Sequence, residues 1–178
     1  MDKLWAPWRI NYIKASAKKN GGSANTCGGK KQKACIFCKS RTWRAKNYII
    51  VNNRYSFAIL NKYPYNNGHV LVAPRRHIKD ITNLKDAEII DIFKTLREVK
   101  IILTKVLRPN GFNIGINISA VAGAGIAGHL HIHIVPRWKG DTNFMPVIYN
   151  TKIISQSLDE LYKRLKNVNP GRNKRIRK

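Results

Sequence analysis

The residues of this 178-residue chain best suited to chemistry are its five histidines, and all of them fall in two short segments. One reads Gly68-His69-Val-Leu-Val-Ala-Pro-Arg-Arg-His77. The other reads His129-Leu-His131-Ile-His133-Ile-Val-Pro-Arg-Trp138. Side chains alternate faces along a strand. His129, His131 and His133 are therefore expected on one face, with Leu130, Ile132 and Ile134 on the other, against a core. Successive imidazoles would then stand about 7 Å apart. Near neutral pH, imidazole serves as a base, a nucleophile or a metal ligand. The straight row favours attack and proton transfer; a three-histidine catalytic zinc site and a merely polar strand are the alternatives. His131, with a neighbour on each side, suits the nucleophile. Its second ring nitrogen is expected to donate to a backbone carbonyl, which frees the reactive one.

The cysteines form the other cluster. Cys35-Ile-Phe-Cys38 places two thiols on one tight turn, a spacing that lets both reach a tetrahedral ion. Two more ligands would be needed, and histidines are available; two buried free thiols are the alternative. Cys27 has no evident partner.

The elements that must position these residues can be read from periodicity and turn residues. Residues 48–52 and 55–60 read as strands joined at Asn52-Asn53-Arg54. Pro64 and Asn66-Asn67-Gly68 make a turn before a strand that starts at His69 and ends at Pro74. Ile89, Ile92, Phe93, Leu96, Val99, Ile102, Leu103 and Val106 form one stripe of a helix over 84–107, stopped by Pro109-Asn110-Gly111. Residues 112–118 and 129–135 read as strands, 120–128 as a small-residue loop, and 154–166 as a second helix. Strands around one long helix imply an α+β domain with a mainly antiparallel sheet of about five strands.

Composition bounds the rest. A chain of this length fits one domain. Residues 1–34 read as an N-terminal segment and flexible basic loop, 35–166 as the domain and 167–178 as a basic, disordered tail. No apolar run is long enough for a membrane span, and the N-terminus lacks the apolar core of a secretory signal. A cytoplasmic location is expected. The 34 Lys and Arg against 9 Asp and Glu give a net charge of +25. Such a field attracts polyanions, nucleic acid among them. A composition rich in Lys, Asn and Ile would raise the charge without any partner.

His-x-His-x-His with apolar x, a small-residue loop before it and Pro136-Arg137 after it, resembles the histidine-triad (HIT) family. Gly68-His69-Val-Leu-Val-Ala-Pro74, with Asn61 eight positions earlier, is similar to that family's earlier strand. The resemblance covers roughly residues 35–148. Leu4-Trp5-Ala-Pro-Trp8-Arg, Gly111-Phe-Asn-Ile-Gly-Ile-Asn and Pro136-Arg-Trp-Lys-Gly-Asp-Thr-Asn-Phe-Met-Pro resemble its microbial diadenosine tetraphosphate phosphorylase group.

The resemblance implies a HIT-like fold and attack on the α-phosphate of a dinucleoside polyphosphate through a covalent nucleotidyl-histidine at His131. It implies that His133 and His69 contact phosphates, that Asn61 holds the ribose, and that Cys35, Cys38, His77 and His129 bind a structural zinc. It also implies a homodimer built on the long helix and the strand at 112–118. Where many relatives carry Gly-Gln-Ser or Gly-Gln-Thr, this chain has Gly123-Ala124-Gly125. Backbone N–H groups of Gly123, Ala124, Gly125 and Ile126 are then expected to meet the phosphates. The room left by the missing side chains, with Asn143 or Arg137 beside it, suits inorganic phosphate as acceptor. Water as acceptor, release from AMP conjugates, and an inactive HIT domain that binds nucleic acid are the alternatives.

Overall fold

The computed structural model describes residues 35–40, 48–141 and 154–168. Its elements, in order, are α1 (Ile36–Ser40), β1 (Ile49–Asn52), β2 (Ser56–Leu60), β3 (Val70–Pro74), α2 (Asp86–Leu107), β4 (Gly111–Ile116), β5 (Ile132–Arg137) and α3 (Leu158–Val168). Short 3₁₀ turns lie at Ile81–Asn83 and Ala120–Ala122. The strands form one sheet in the order β1-β2-β3-β5-β4, and every neighbouring pair is antiparallel. The expected α+β architecture is the observed one.

Period-two alternation sorts the central strands between two cores. Ala58, Leu60, Val70, Val72, Ile132 and Ile134 face Ile92, Leu96, Val99, Ile102 and Leu103 of α2 and Leu161 and Leu165 of α3. Phe57, Ile59, Leu71 and Ala73 face the other way and pack with Phe37 of α1. Each buried Val, Leu, Ile or Phe among them contributes about 1.5–3 kcal/mol. Because both faces are covered, β2 and β3 are buried along their whole length.

α2 starts where Asp86 and Glu88 meet the helix dipole and stops where Arg108 turns left-handed at φ 47° before Pro109. The buried Glu88 carboxylate is held by Arg76 (2.7 Å) and by the Lys85 N–H (2.9 Å). This ties α2 to the segment that carries His77.

The histidine strand begins later than its alternation suggests. β5 starts at Ile132 rather than 129, because Leu130 N–H donates to the carbonyl of Ile78 (2.6 Å) instead of joining the sheet ladder. β3 likewise starts at Val70, and α3 runs two residues past the expected end, to Val168. The N-terminal segment with Trp5 and Trp8, the loop with Cys27, and the tail from Asn169 lie outside the described residues.

Candidate active site

The site forms on the sheet face opposite α2. His133 pairs with Leu71 of β3 and Gly115 of β4, so its ring stands on the Leu71 face. The rings continue as a row. His131 and His133 have centroids 5.0 Å apart, and His69 lies 5.1 Å from His133. Phe37 sits 5.2 Å from His131 and 5.0 Å from His129. Tyr65 stacks on His133 at 5.7 Å and 10°, with more than half of its surface exposed. Phe37 and Tyr65 were not singled out from sequence. Their only signal was position: Phe37 between the paired cysteines, Tyr65 four residues before His69.

The hydrogen bonds fix which nitrogen of each ring can react. The carbonyl of His129 can only accept, so His131 Nδ1 (2.9 Å away) carries the proton. Its Nε2 keeps its lone pair, as expected for a nucleophile. Tyr65 N–H can only donate, so His69 Nδ1 (3.1 Å) accepts. The Asn61 amide also donates to that atom at 3.2 Å, oriented by its own oxygen accepting Tyr63 N–H at 3.0 Å. His69 Nε2 therefore donates to His133 Nδ1 (2.9 Å). That leaves the proton of neutral His133 on Nε2, which is buried and has no partner among the described residues.

The electrostatics agree with this chain. Burial, then the neighbouring His133 and His131, push His69 down to about 3. Burial, then His131, lowers His133. Both shifts disfavour the charged forms of His69 and His133, in keeping with a neutral donor at each ring.

His129 serves elsewhere. Its Nε2 donates to the carbonyl of Pro74 (2.9 Å), and its Nδ1 faces Cys35 Sγ (3.3 Å) and Cys38 Sγ (3.7 Å). His77 Nδ1 lies 3.2 Å from Cys38 Sγ. All four ligand atoms lie within 4.8 Å of one another. Donors around a tetrahedral ion with metal–ligand bonds of about 2.0–2.3 Å stand roughly 3.3–3.8 Å apart, close to the separations of 3.3, 3.2 and 3.7 Å among these sulfurs and ring nitrogens. The Pro74 carbonyl supplies the outer hydrogen bond that orients a ligating imidazole. Sequence spacing alone did not reveal that carbonyl.

The loop before the triad is seated on this segment, since His129 N–H donates to the Ile126 carbonyl (3.4 Å). Gly123 adopts φ 88°, which a side chain would strain, and Ala124 is buried. A Cβ at Gly125 would touch nothing within 4 Å, so packing does not require glycine there. Asn143 lies outside the described residues.

A HIT-domain model matches residues 44–140. The chain belongs to the HIT family. It is 34% identical over 160 residues to a Mycobacterium tuberculosis protein named AP-4-A phosphorylase, covering 89% of this chain and 79% of that one. A solved structure of a hypothetical histidine triad nucleotide-binding protein from Sulfolobus tokodaii superimposes with a TM-score of 0.60 at 27% identity. It covers 75% of this chain and 90% of its own. A zinc-bound histidine triad family protein from Mycobacterium smegmatis shares the fold, with a TM-score of 0.61 at 24% identity over 75% of this chain and 91% of that one.

Proposed function

We propose that this HIT-family enzyme cleaves dinucleoside polyphosphates by covalent nucleotidyl transfer through His131, with inorganic phosphate as the favoured acceptor. The observation that carries the reading is the His131 Nδ1–His129 carbonyl bond, which leaves Nε2 as the unprotonated nitrogen, on a ring 5.0 Å from that of His133, whose Nε2–H has no partner among the described residues. His131 Nε2 attacks the α-phosphorus of diadenosine tetraphosphate. A phosphorus–nitrogen bond forms, the phosphorus–oxygen bond breaks, and ATP leaves. The His133 Nε2–H donates to a phosphoryl oxygen as negative charge builds there. His69 holds His133 in that tautomer, which moves its role from phosphate contact to positioning. Asn61 is placed to hold the ribose, and the backbone of 123–126 to meet the phosphates.

In the second step a phosphate oxygen attacks the nucleotidyl phosphorus, His131 departs and ADP is released. Gly125 supports phosphate over water, because open space at its Cβ position leaves room for a second anion. The name of the M. tuberculosis relative supports the same choice. The test is to incubate the protein with diadenosine tetraphosphate, with and without phosphate. Phosphate-dependent ADP and ATP are expected; AMP and ATP irrespective of phosphate would make it a hydrolase.

The reading assigns zinc to Cys35, Cys38, His77 and His129. The zinc-bound M. smegmatis protein supports this choice of metal. Four protein ligands would leave such an ion no open position, and through it Cys35 and Cys38 would tie α1 to the start of the histidine segment. Thiolates of this kind persist where thiols stay reduced, which accords with a cytoplasmic location. No described helix is long and apolar enough to cross a membrane.

A homodimer completes the reading. β4 is an edge strand with Ile114 exposed, and α2 exposes Ile90, Phe93 and Ile101. Light scattering should give twice the chain mass of 20.4 kDa, and the single-chain mass would refute the dimer.

A further inference from the structure

The charge of +25 is not spread evenly over the helices. Up to Glu98, α2 mixes Asp86, Glu88, Asp91 and Glu98 with Lys94 and Arg97, whereas from Val99 onward it carries only Lys100 and Lys105 as charged residues. α3 repeats the pattern, with Asp159 and Glu160 in its first turn and Lys163, Arg164 and Lys166 after them. Tertiary packing brings the two basic ends together. Arg164 Nη2 donates to the carbonyl of Val106 at 3.0 Å.

Two open hollows, of about 430 and 600 Å³, meet at this junction and share Val106, Leu107 and Arg164 as walls. Lys105 and Arg108 line one, Lys139 and the half-buried Trp138 line the other, and the four cations are exposed. The one carboxylate in the lining, Asp141, is paired with Arg137 at 2.6 Å. None of the four groove cations has a carboxylate at ion-pair distance among the described residues. The helix end does not use them up. It presents about half a negative charge, and Arg164 already donates to a carbonyl there. Beyond Val168, which lines the groove, the sequence adds Arg172, Lys174, Arg175, Arg177 and Lys178.

We propose that this groove, on the helical side of the sheet and separate from the histidine site, binds single-stranded nucleic acid. Repeated cations spaced along an open channel track a phosphate backbone, and an aromatic ring in the same channel gives a base a surface to stack on. The inference does not depend on the catalytic reading.

The test uses the full chain and a fluorescent oligouridylate of about 20 nucleotides, titrated by anisotropy over a salt series. A Lys105→Ala/Arg108→Ala/Lys139→Ala variant is compared with Arg54→Ala/Lys79→Ala/Lys85→Ala, which removes three exposed cations away from the groove and from the apolar face of α2. The groove variant should bind about tenfold more weakly and lower the slope of log K against log salt by roughly 2, about 0.7 per lost phosphate contact. The control variant should change affinity less than about twofold, and both should melt with the wild type. Equal losses in the two variants would overturn the groove in favour of a diffuse field. Binding of inorganic polyphosphate as tight as that of the oligonucleotide, or affinity unmoved by Trp138→Leu, would overturn the nucleic-acid assignment.

Discussion

Two histidine neighbourhoods grow from one short segment and end in opposite chemical states. At His129 both ring nitrogens are engaged, one by the Pro74 carbonyl and one facing the cysteine sulfurs. Among the described residues, only Nδ1 of His131 is engaged, and the Nε2–H of His133 has no partner. Residue type is the same throughout. What differs is how many ring nitrogens the surrounding backbone uses up. A ring with both nitrogens engaged anchors structure, and a ring with one left over can react. Phe37 packs against both His129 and His131, so the two neighbourhoods share a wall while keeping separate roles.

The contrast breaks most plainly at His131. His131→Ala should lower turnover of diadenosine tetraphosphate by at least ~10³-fold, because the covalent route disappears. The melting temperature should change far less than in the cysteine variant. His133→Ala should cost less turnover, since it removes a donor rather than the nucleophile. Turnover by His131→Ala within tenfold of wild type would end the distinction between the rings.

The closed neighbourhood should fail in the opposite manner. Purified protein should carry about one zinc per chain, and Cys35→Ser/Cys38→Ser should carry almost none. That variant should melt on the order of 10 °C lower, as expected for a loss of several kcal/mol in a chain of this size. Its activity should fall less than that of His131→Ala. Metal analysis near zero in the wild type would remove the anchoring role from His129.

The smallest effect sharpens the comparison through pH. His69 is lowered to about 3 in the fold, first by burial and then by His133 and His131, and titrates near 6.5 when unfolded. Between those values the unfolded chain binds the extra proton, so stability is fully present above pH 6.5 and falls as pH drops towards 3. The slope should reach about 1 kcal/mol per pH unit from this ring. Urea unfolding at stepped pH should show it, and His69→Gln should flatten it. An unchanged slope in that variant would mean that His69 is not the ring kept neutral.

Much of this was legible in sequence. The 3.6-residue stripe from Ile89 to Val106 marked α2, because a helix over a sheet must bury one face. Alternation placed Ile132 and Ile134 in the core and His133 opposite them. The C-x-x-C spacing marked a turn able to offer two sulfurs. Asn61, His69 and His77 were named from the resemblance for ribose, phosphate and zinc; the structure sets Asn61 against His69, His69 against His133 and His77 beside His129, an arrangement of hydrogen bonds and rings that was not visible in sequence.

Sequence by itself determined which side chains could do chemistry and which faces they would share, since those follow from residue type and from periods of 2 and 3.6. Only the tertiary structure decided which chemistry each performs. Leu130 bonds to Ile78 instead of the sheet, and that departure carries His129 out of the row towards cysteines 94 and 91 residues away. Tyr65 N–H sets the His69 tautomer, and through it that of His133 across 64 residues. A ring nitrogen's role depends on the atom within 3 Å of it, and in a sheet of strand order β1-β2-β3-β5-β4 that atom comes from a distant stretch of chain.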